Sequence, residues 1–284
     1  EGTEVQGENI QNVVVGKIVE MVRHHDSDHM WTCQVDVGGP RLLQIVTGAQ
    51  NQKVGDLVPI ALDGAILPGG AEIHTTVFRG ELSEGMMCSL KELGLTLHDF
   101  PYGYEDGLFI LQEDCKPGDD IRPVIGRDDH VVEFEITPNR SDCLSVIGLA
   151  REAAVTFNKT LKLHEPVVKG CGGGKTVADY VRIDIENPDL CPRYTARMVK
   201  NVKIAPSPKW MRERIAAMGM RPINNIVDIT NYVMMEYGQP MHAFDFACVD
   251  GDHIVVRTAR EGETIRTLDG TERKLNTSML CICD

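Results

Sequence analysis

The chain has no C-x-x-C pair, no long apolar run and no excess of positive charge. Its nine cysteines stand at Cys33, Cys88, Cys115, Cys143, Cys171, Cys191, Cys248, Cys281 and Cys283. A structural zinc site uses closely spaced ligands, because two of them must reach one ion from a tight turn. That spacing is missing, so no metal site is expected. The cysteines read as reduced thiols, several of them small core residues. No apolar stretch approaches the roughly 20 residues of a membrane span. The opening EGTEVQGEN has neither a basic stretch nor an apolar core, so it is not a signal peptide. With no initiator Met and no stop signal in SMLCICD, both ends read as cut from something longer.

The formal net charge is −13. That disfavours nucleic-acid binding by bulk charge, although a local basic groove depends on distribution as well as sum. The 284 residues, 42% hydrophobic and 25% charged, are those of an ordinary globular protein of about two domains.

From Asn12 to Ile125 the sequence is a series of short β-type runs, VVVGKIVEMV, WTCQVDVGG, RLLQIVTGA, DLVPIAL and TTVFRG, separated by Gly and Pro turns. Alternation in Cys33-Gln34-Val35-Asp36-Val37 gives one wet face. Several short strands at regular spacing predict a small barrel or sandwich. After Val131 the pattern becomes strand, turn, helix, with Val132, Phe134 and Ile136 alternating and Ser141 as the expected cap. From Tyr180 an α/β region follows, with strands at YVRIDIEN, HIVVRTAR and ETIRTL and a hairpin turn at LDGTERK. Ser207 is the expected cap of a helix striped by Trp210, Met211, Ile215 and Met218.

The glycine run Gly170-Cys171-Gly172-Gly173-Gly174-Lys175-Thr176 invites a phosphate-loop reading, but the required first Gly falls on Lys169. A flexible linker fits better. In Asn224 to Asp245, Asn225 and Asp228 fit a capping box. Ile226, Ile229, Val233 and Tyr237 form a core-facing stripe, and Gly238 with Pro240 ends the helix. Thr230, Asn231 and His242 are left without a local explanation. A lone His is more often a structural hydrogen-bonder than a catalyst.

Three blocks carry a resemblance. Arg23 to Asp28, Val35 to Gly38, Gln44 to Asn51 and Arg79 to Met86 are similar to the tRNA-binding OB-fold module of synthetase-associated proteins and bacterial phenylalanyl-tRNA synthetase β chains. The loop departs from that pattern at His25, in place of Pro, and at Asp26, in place of Asn. FEITPNRSDCLSVIGLARE resembles the segment after the OB insert in the same β chains. RPINNIVDITNYVMMEYGQPMHAFD resembles the signature of their B3/B4 editing region.

The resemblance implies an α+β fold, with an OB barrel inserted in a small α/β domain and a truncated mixed α/β domain after it. Residues 1–11 would be a remnant of the N-terminal α/β domain, 12–125 the tRNA-binding domain, and 126–168 the continuation of the first. A linker at 169–178 and an incomplete editing domain at 179–284 would follow. The implied tRNA contacts are Arg23, His24, Asn51, Arg79 and Ser83. The implied editing pocket, for hydrolysing tyrosine mischarged onto the phenylalanine tRNA, is Thr230, Asn231 and His242. The implied partners are tRNA and the α subunit of a cytoplasmic heterotetramer, with no membrane. ATP and magnesium belong to the whole enzyme and no cofactor to this segment. In the family the ATP and phenylalanine sites belong to the α subunit and recognition of the tyrosine hydroxyl lies downstream of Asp284, so this chain alone is expected neither to aminoacylate nor to edit efficiently. The alternative is a non-catalytic tRNA-binding or subunit-assembly module.

Overall fold

The computed structural model describes residues 2–168 and 173–284. Glu1 of the expected N-terminal remnant and Lys169 to Gly172 of the expected linker lie outside the described residues. The chain forms two compact units, Glu1–Gly148 with Ala205–Gly238, and Leu149–Ile204 with Gln239–Asp284. Residues 205–238 fall in the first unit, and residues 179–204 and 239–284 in the second.

In the first unit, β1 (Gly2–Val5) is followed by β2 (Gln11–Arg23), β3 (Trp31–Asp36), β4 (Leu43–Thr47) and β5 (Leu57–Ile66). Short strands β6 (Glu72–Ile73), β7 (Thr76–Phe78), β8 (Glu81–Ser83) and β9 (Gly85–Met87) complete the set. The main sheet has the antiparallel order β4-β3-β2-β5-β6, with β9 also on β5. The outer edge of β4 meets the chain passing from β8 into β9. There Glu84 N donates to Gln44 O at 2.8 Å and Val46 N to Ser83 Oγ at 3.0 Å. The sheet therefore nearly closes on itself as a barrel.

Alternation explains which side chains fill it. Ile18, Cys33, Val35, Ile45, Val58 and Ile60 point inward and pack with Met87 and Leu108. Gly16 belongs to this face, and a Cβ there would sit 2.4 Å from Ile60 Cγ1 and 2.8 Å from Val35 Cγ1. The opposite face of the same strands is also buried. Val13, Val15, Ala61 and Ala65 pack under a second layer containing Phe100, Phe109 and Ile121. Burial on both faces is why VVVGKIV and LVPIAL read as nearly continuous apolar runs. The buried Cys33 and Cys88 thiols are pushed up to about 11 and about 12 by loss of hydration, which keeps them protonated at neutral pH.

Helix α1 (Ile121–Val124) is capped by Asp120, whose carboxylate accepts from Arg122 N. Strand β10 (His130–Glu133) pairs antiparallel with β1, so this strand stops short of Phe134 and Ile136. Ser141 opens a 3-10 turn rather than a helix. Helix α2 (Val146–Thr156) starts five residues later, where Ser145 Oγ accepts from Gly148 N at 3.1 Å.

Helices α3 (Lys209–Ala217) and α4 (Asn225–Tyr237) correct two expected caps. Ser207 does not cap α3. It is buried, and its hydroxyl donates to Asp228 Oδ2 at 2.5 Å. Asp228 Oδ1 accepts from Ile223 N at 2.8 Å, so the fully buried carboxylate ties the entry of both helices together. The cap of α4 is Asn224, one residue before the expected Asn225, and its Oδ1 accepts from Ile226 N and Val227 N, both at 3.1 Å. The expected stripe is not core, since Ile229 and Tyr237 are exposed. Gly238 ends the helix as expected, at φ 75°.

In the second unit β11 (Arg182–Ile185) lies parallel to β12 (His253–Thr258). Strands β13 (Thr264–Arg266) and β14 (Glu272–Lys274) form the hairpin expected around Asp269-Gly270. Strand β15 (Leu280–Cys283) runs antiparallel to β12. Among the described residues of this unit, Val181, Ile254, Val256 and Ala259 are the buried apolar side chains.

Candidate functional site

The first candidate surface lies where β2 ends. Arg23 is exposed, and its guanidinium sits 3.9 Å from the ring centroid of Trp31 and donates to Asp28 O at 3.0 Å. Trp31 Nε1 donates to Gln50 Oε1 at 3.3 Å. The stack joins a cation to a flat apolar ring while leaving the charge unneutralised.

The turn joining β7 to β8 faces the same loop. Arg79 (φ 46°) and Gly80 (φ 89°) both occupy the left-handed region, as a tight hairpin turn with right-handed strand twist requires. Arg79 Nη1 donates to Asp26 O at 2.8 Å. His25 Nδ1 stands 3.2 Å from Glu81 Oε1. The loop and the turn are thereby latched together.

His24, Asn51 and Ser83 are occupied inside the fold. His24 is buried. Its Nδ1 accepts from Asp26 N and its Nε2 meets Phe78 O, both at 3.1 Å, which sets the tautomer with the proton on Nε2. Half-buried Asn51 donates to Leu108 O and accepts from Leu108 N, each at 2.9 Å. Buried Ser83 Oγ accepts from Val46 N and donates to Gly85 O at 2.9 Å. Arg23 and Arg79 are therefore the expected contacts that reach solvent. Trp31 was not among them, and the available signal was a bulky aromatic at a strand start beside a polar loop.

The second candidate group is divided. Thr230 and Asn231 belong to the first unit and His242 to the second. Half-buried Thr230 donates from Oγ1 to Val227 O at 2.7 Å, a back-bond along its own helix. Asn231, also half-buried, makes no side-chain hydrogen bond among the described residues. Next to it in the chain, Tyr232 Oη accepts from Arg214 Nη1 at 2.9 Å. His242 is exposed and its ring lies near-parallel to that of Phe244, 6.1 Å between centroids. Among the described residues no group of three or more His, Cys, Asp and Glu side chains is placed to hold a metal ion. No described helix is long and apolar enough to cross a membrane.

Comparison with known proteins adds the decisive observation. Residues 13–120 match the model of the putative tRNA binding domain, and residues 190–284 that of the B3/4 domain. The chain is 48% identical over 284 residues to the phenylalanine–tRNA ligase beta subunit of Moorella thermoacetica, covering 100% of this chain and 35% of that one. It is 47% identical over 281 residues to the same subunit of Clostridium acetobutylicum, covering 98% and 34%.

The chain belongs to the phenylalanine–tRNA ligase beta-subunit family.

It spans about a third of the length of the curated beta subunits it matches. The part that matches the tRNA binding domain holds most of β2 and all of β3 to β9, with most of both apolar clusters. It is also acidic, with 17 Asp and Glu against 7 Lys and Arg in residues 13–120. In this beta-subunit segment, any contact with a polyanion depends on where a few cations are held.

Proposed function

We propose that this chain is the part of a phenylalanine–tRNA ligase beta subunit that contacts tRNA through an OB-type barrel and carries part of a proofreading site. The 48% identity to a ligase beta subunit along the whole of this chain is the observation that carries this reading. The nearly closed antiparallel barrel supports the OB assignment. Arg23 on Trp31 and the latched Arg79 are the contacts offered to RNA. His24, Asn51 and Ser83 serve by fixing the loop, the barrel seam and the β4 edge. An unpaired base stacks on an aromatic ring and a phosphate meets a guanidinium, and both groups stand together at the end of β2.

Proofreading has a physical motive. A pocket shaped for phenylalanine cannot strongly reject a side chain that merely adds a hydroxyl, so a second, hydrolytic site is useful. Ester hydrolysis needs a placed water and donors for the developing oxyanion. Asn231 brings a half-buried amide with no hydrogen bond to other described residues, and His242 an exposed imidazole; both fit the orientation of water and the tRNA 3′ end without a covalent intermediate. Thr230, bonded to Val227 O, holds the helix surface beside Asn231. In this reading the whole enzyme works in the cytoplasm as a heterotetramer with its α subunit, and uses ATP and magnesium there.

The test is deacylation of tyrosine-charged phenylalanine tRNA by the assembled ligase. Asn231→Ala and His242→Ala are expected to slow it at least tenfold without altering phenylalanine charging. Unchanged deacylation in both would leave the second reading, a tRNA-binding or assembly module without catalysis. The back-bonded hydroxyl of Thr230 is the observation that favours that alternative.

A further inference from the structure

Charge is unevenly spread along the chain. Residues 1–148 carry 25 Asp and Glu against 10 Lys and Arg, whereas residues 149–204 carry 10 Lys and Arg against 6 Asp and Glu. Many cations of the acidic part are cancelled locally: Arg41 by Glu84, Arg122 by Asp120, Arg127 by Asp99 and Arg140 by Asp142.

Around Tyr180, in the second unit, cations are gathered differently. Lys200 Nζ lies 4.1 Å from the ring centroid and donates to Tyr180 Oη at 2.7 Å. Lys175 Nζ lies 5.5 Å from the same centroid. An aromatic face attracts a cation through its quadrupole but has no net charge. Two ammonium groups are thus collected without being cancelled. Neither forms an ion pair with a carboxylate among the described residues. The acid nearest Lys175 in sequence, Asp179, is otherwise engaged. Its Oδ2 accepts from Thr176 N at 2.6 Å and from Thr176 Oγ1 at 3.1 Å, in a capping box that fixes the backbone next to Lys175.

Lysine side chains ordinarily lose much rotamer freedom when they bind, and holding them beforehand lowers that cost. Two like charges held near one ring also repel each other, and an anion relieves the repulsion. The Lys200 ammonium spends one proton on Tyr180 and keeps two to donate.

We propose that Lys175, Tyr180 and Lys200 form a binding site for backbone phosphate of an RNA strand, separate from the barrel surface. It rests on the reading that this chain handles tRNA. The two ammoniums contact phosphate, and Tyr180 is a positioning residue that holds them. An acidic protein partner is the competing occupant, and the salt series below separates the two.

The test is fluorescence anisotropy with a labelled tRNA transcript and the whole 284-residue chain across a salt series. The Lys175→Gln/Lys200→Gln variant is expected to bind at least fivefold more weakly near 0.1 M salt. Its slope of log affinity against log salt should fall by about 1.4, since each single-strand phosphate contact contributes about 0.7. Lys175→Arg/Lys200→Arg should keep the wild-type slope, and Tyr180→Leu should weaken binding while leaving the circular dichroism spectrum intact. Wild-type affinity and slope in the glutamine variant would overturn the site and leave an acidic protein as its occupant. An Arg23→Gln/Arg79→Gln variant separates the two readings. Loss of binding in that variant alone removes the lysine site and keeps the barrel contact. Loss in the lysine variant alone does the reverse, and a wild-type chain that binds no tRNA overturns both.

Discussion

Asn51 and Leu108 are paired like neighbouring strand residues, the side-chain amide of one exchanging two 2.9 Å hydrogen bonds with the backbone of the other. The pair closes a seam between segments 57 residues apart. Asn51→Ala leaves a donor and an acceptor of Leu108 without partners and should cost about 2–3 kcal/mol. Urea unfolding measures it as a lower midpoint with unchanged slope. Weaker tRNA binding without any loss of stability would instead make Asn51 a direct contact.

Arg23 and Trp31 should behave as a unit in binding. Arg23→Gln is expected to lower tRNA affinity several-fold and the salt slope by about 0.7, because one single-strand phosphate contact is lost. Trp31→Leu should lower affinity with little change in slope, since stacking releases no counterions. Equal salt slopes in the wild type and Arg23→Gln would show that the guanidinium does not meet phosphate.

The buried bond from Ser207 to Asp228 should couple strongly. Asp228→Ala strands the buried Ser207 hydroxyl and leaves Ile223 N–H without its partner, at a cost of about 2–4 kcal/mol. A double-mutant cycle with Ser207→Ala is expected to give a coupling of at least 1 kcal/mol, about the size found for contacting polar pairs. Additive effects would mean that the two groups are not bonded in solution.

In the second unit, Arg257 holds Glu263 through two hydrogen bonds of 2.9 and 2.8 Å. Those bonds, with one from Arg260 N, hold the Glu263 carboxyl down to about 2 from an ordinary value of 4.5. A carboxylate depressed in the folded state stabilises it above the unfolded value, and that contribution fades as pH falls through the folded one. Wild-type stability should therefore drop between about pH 4.5 and 2 more steeply than that of Glu263→Gln. Parallel acid titrations of the two proteins would refute this.

Much of the barrel was readable because its strands obey short-range rules. Cys33 and Val35 alternate with Gln34 and Asp36, and glycines punctuate the turns. Positions decided by distant partners were not readable. Ser207 sits where a helix cap belongs, yet its hydroxyl goes to Asp228, which needs a donor inside the fold. Asn224 and Asn225 are chemically identical, so the sequence left the choice of cap open by one residue. Ser83 entered only as an implied tRNA contact, and nothing local in the sequence shows that its hydroxyl completes the edge of β4. For the proposed editing positions, low helix propensity in mid-helix marks Thr230 and Asn231 as unexplained, and the back-bond from Thr230 to Val227 accounts for the first locally.

The parallel pairing of β11 with β12 sets an order of events during folding. Its partners, Arg182 and His253, are 71 residues apart in the chain, and the residues between them include α3 and α4. Strands β2, β3 and β4 are joined by short connections and can pair as soon as they leave the ribosome. β11 has to wait until β12 has been made, with its apolar face exposed meanwhile, and so long a closure is slow. Synthesis halted before His253 would leave β11 unpaired in a chain whose barrel strands have already joined, a species that chaperones and proteases would find first.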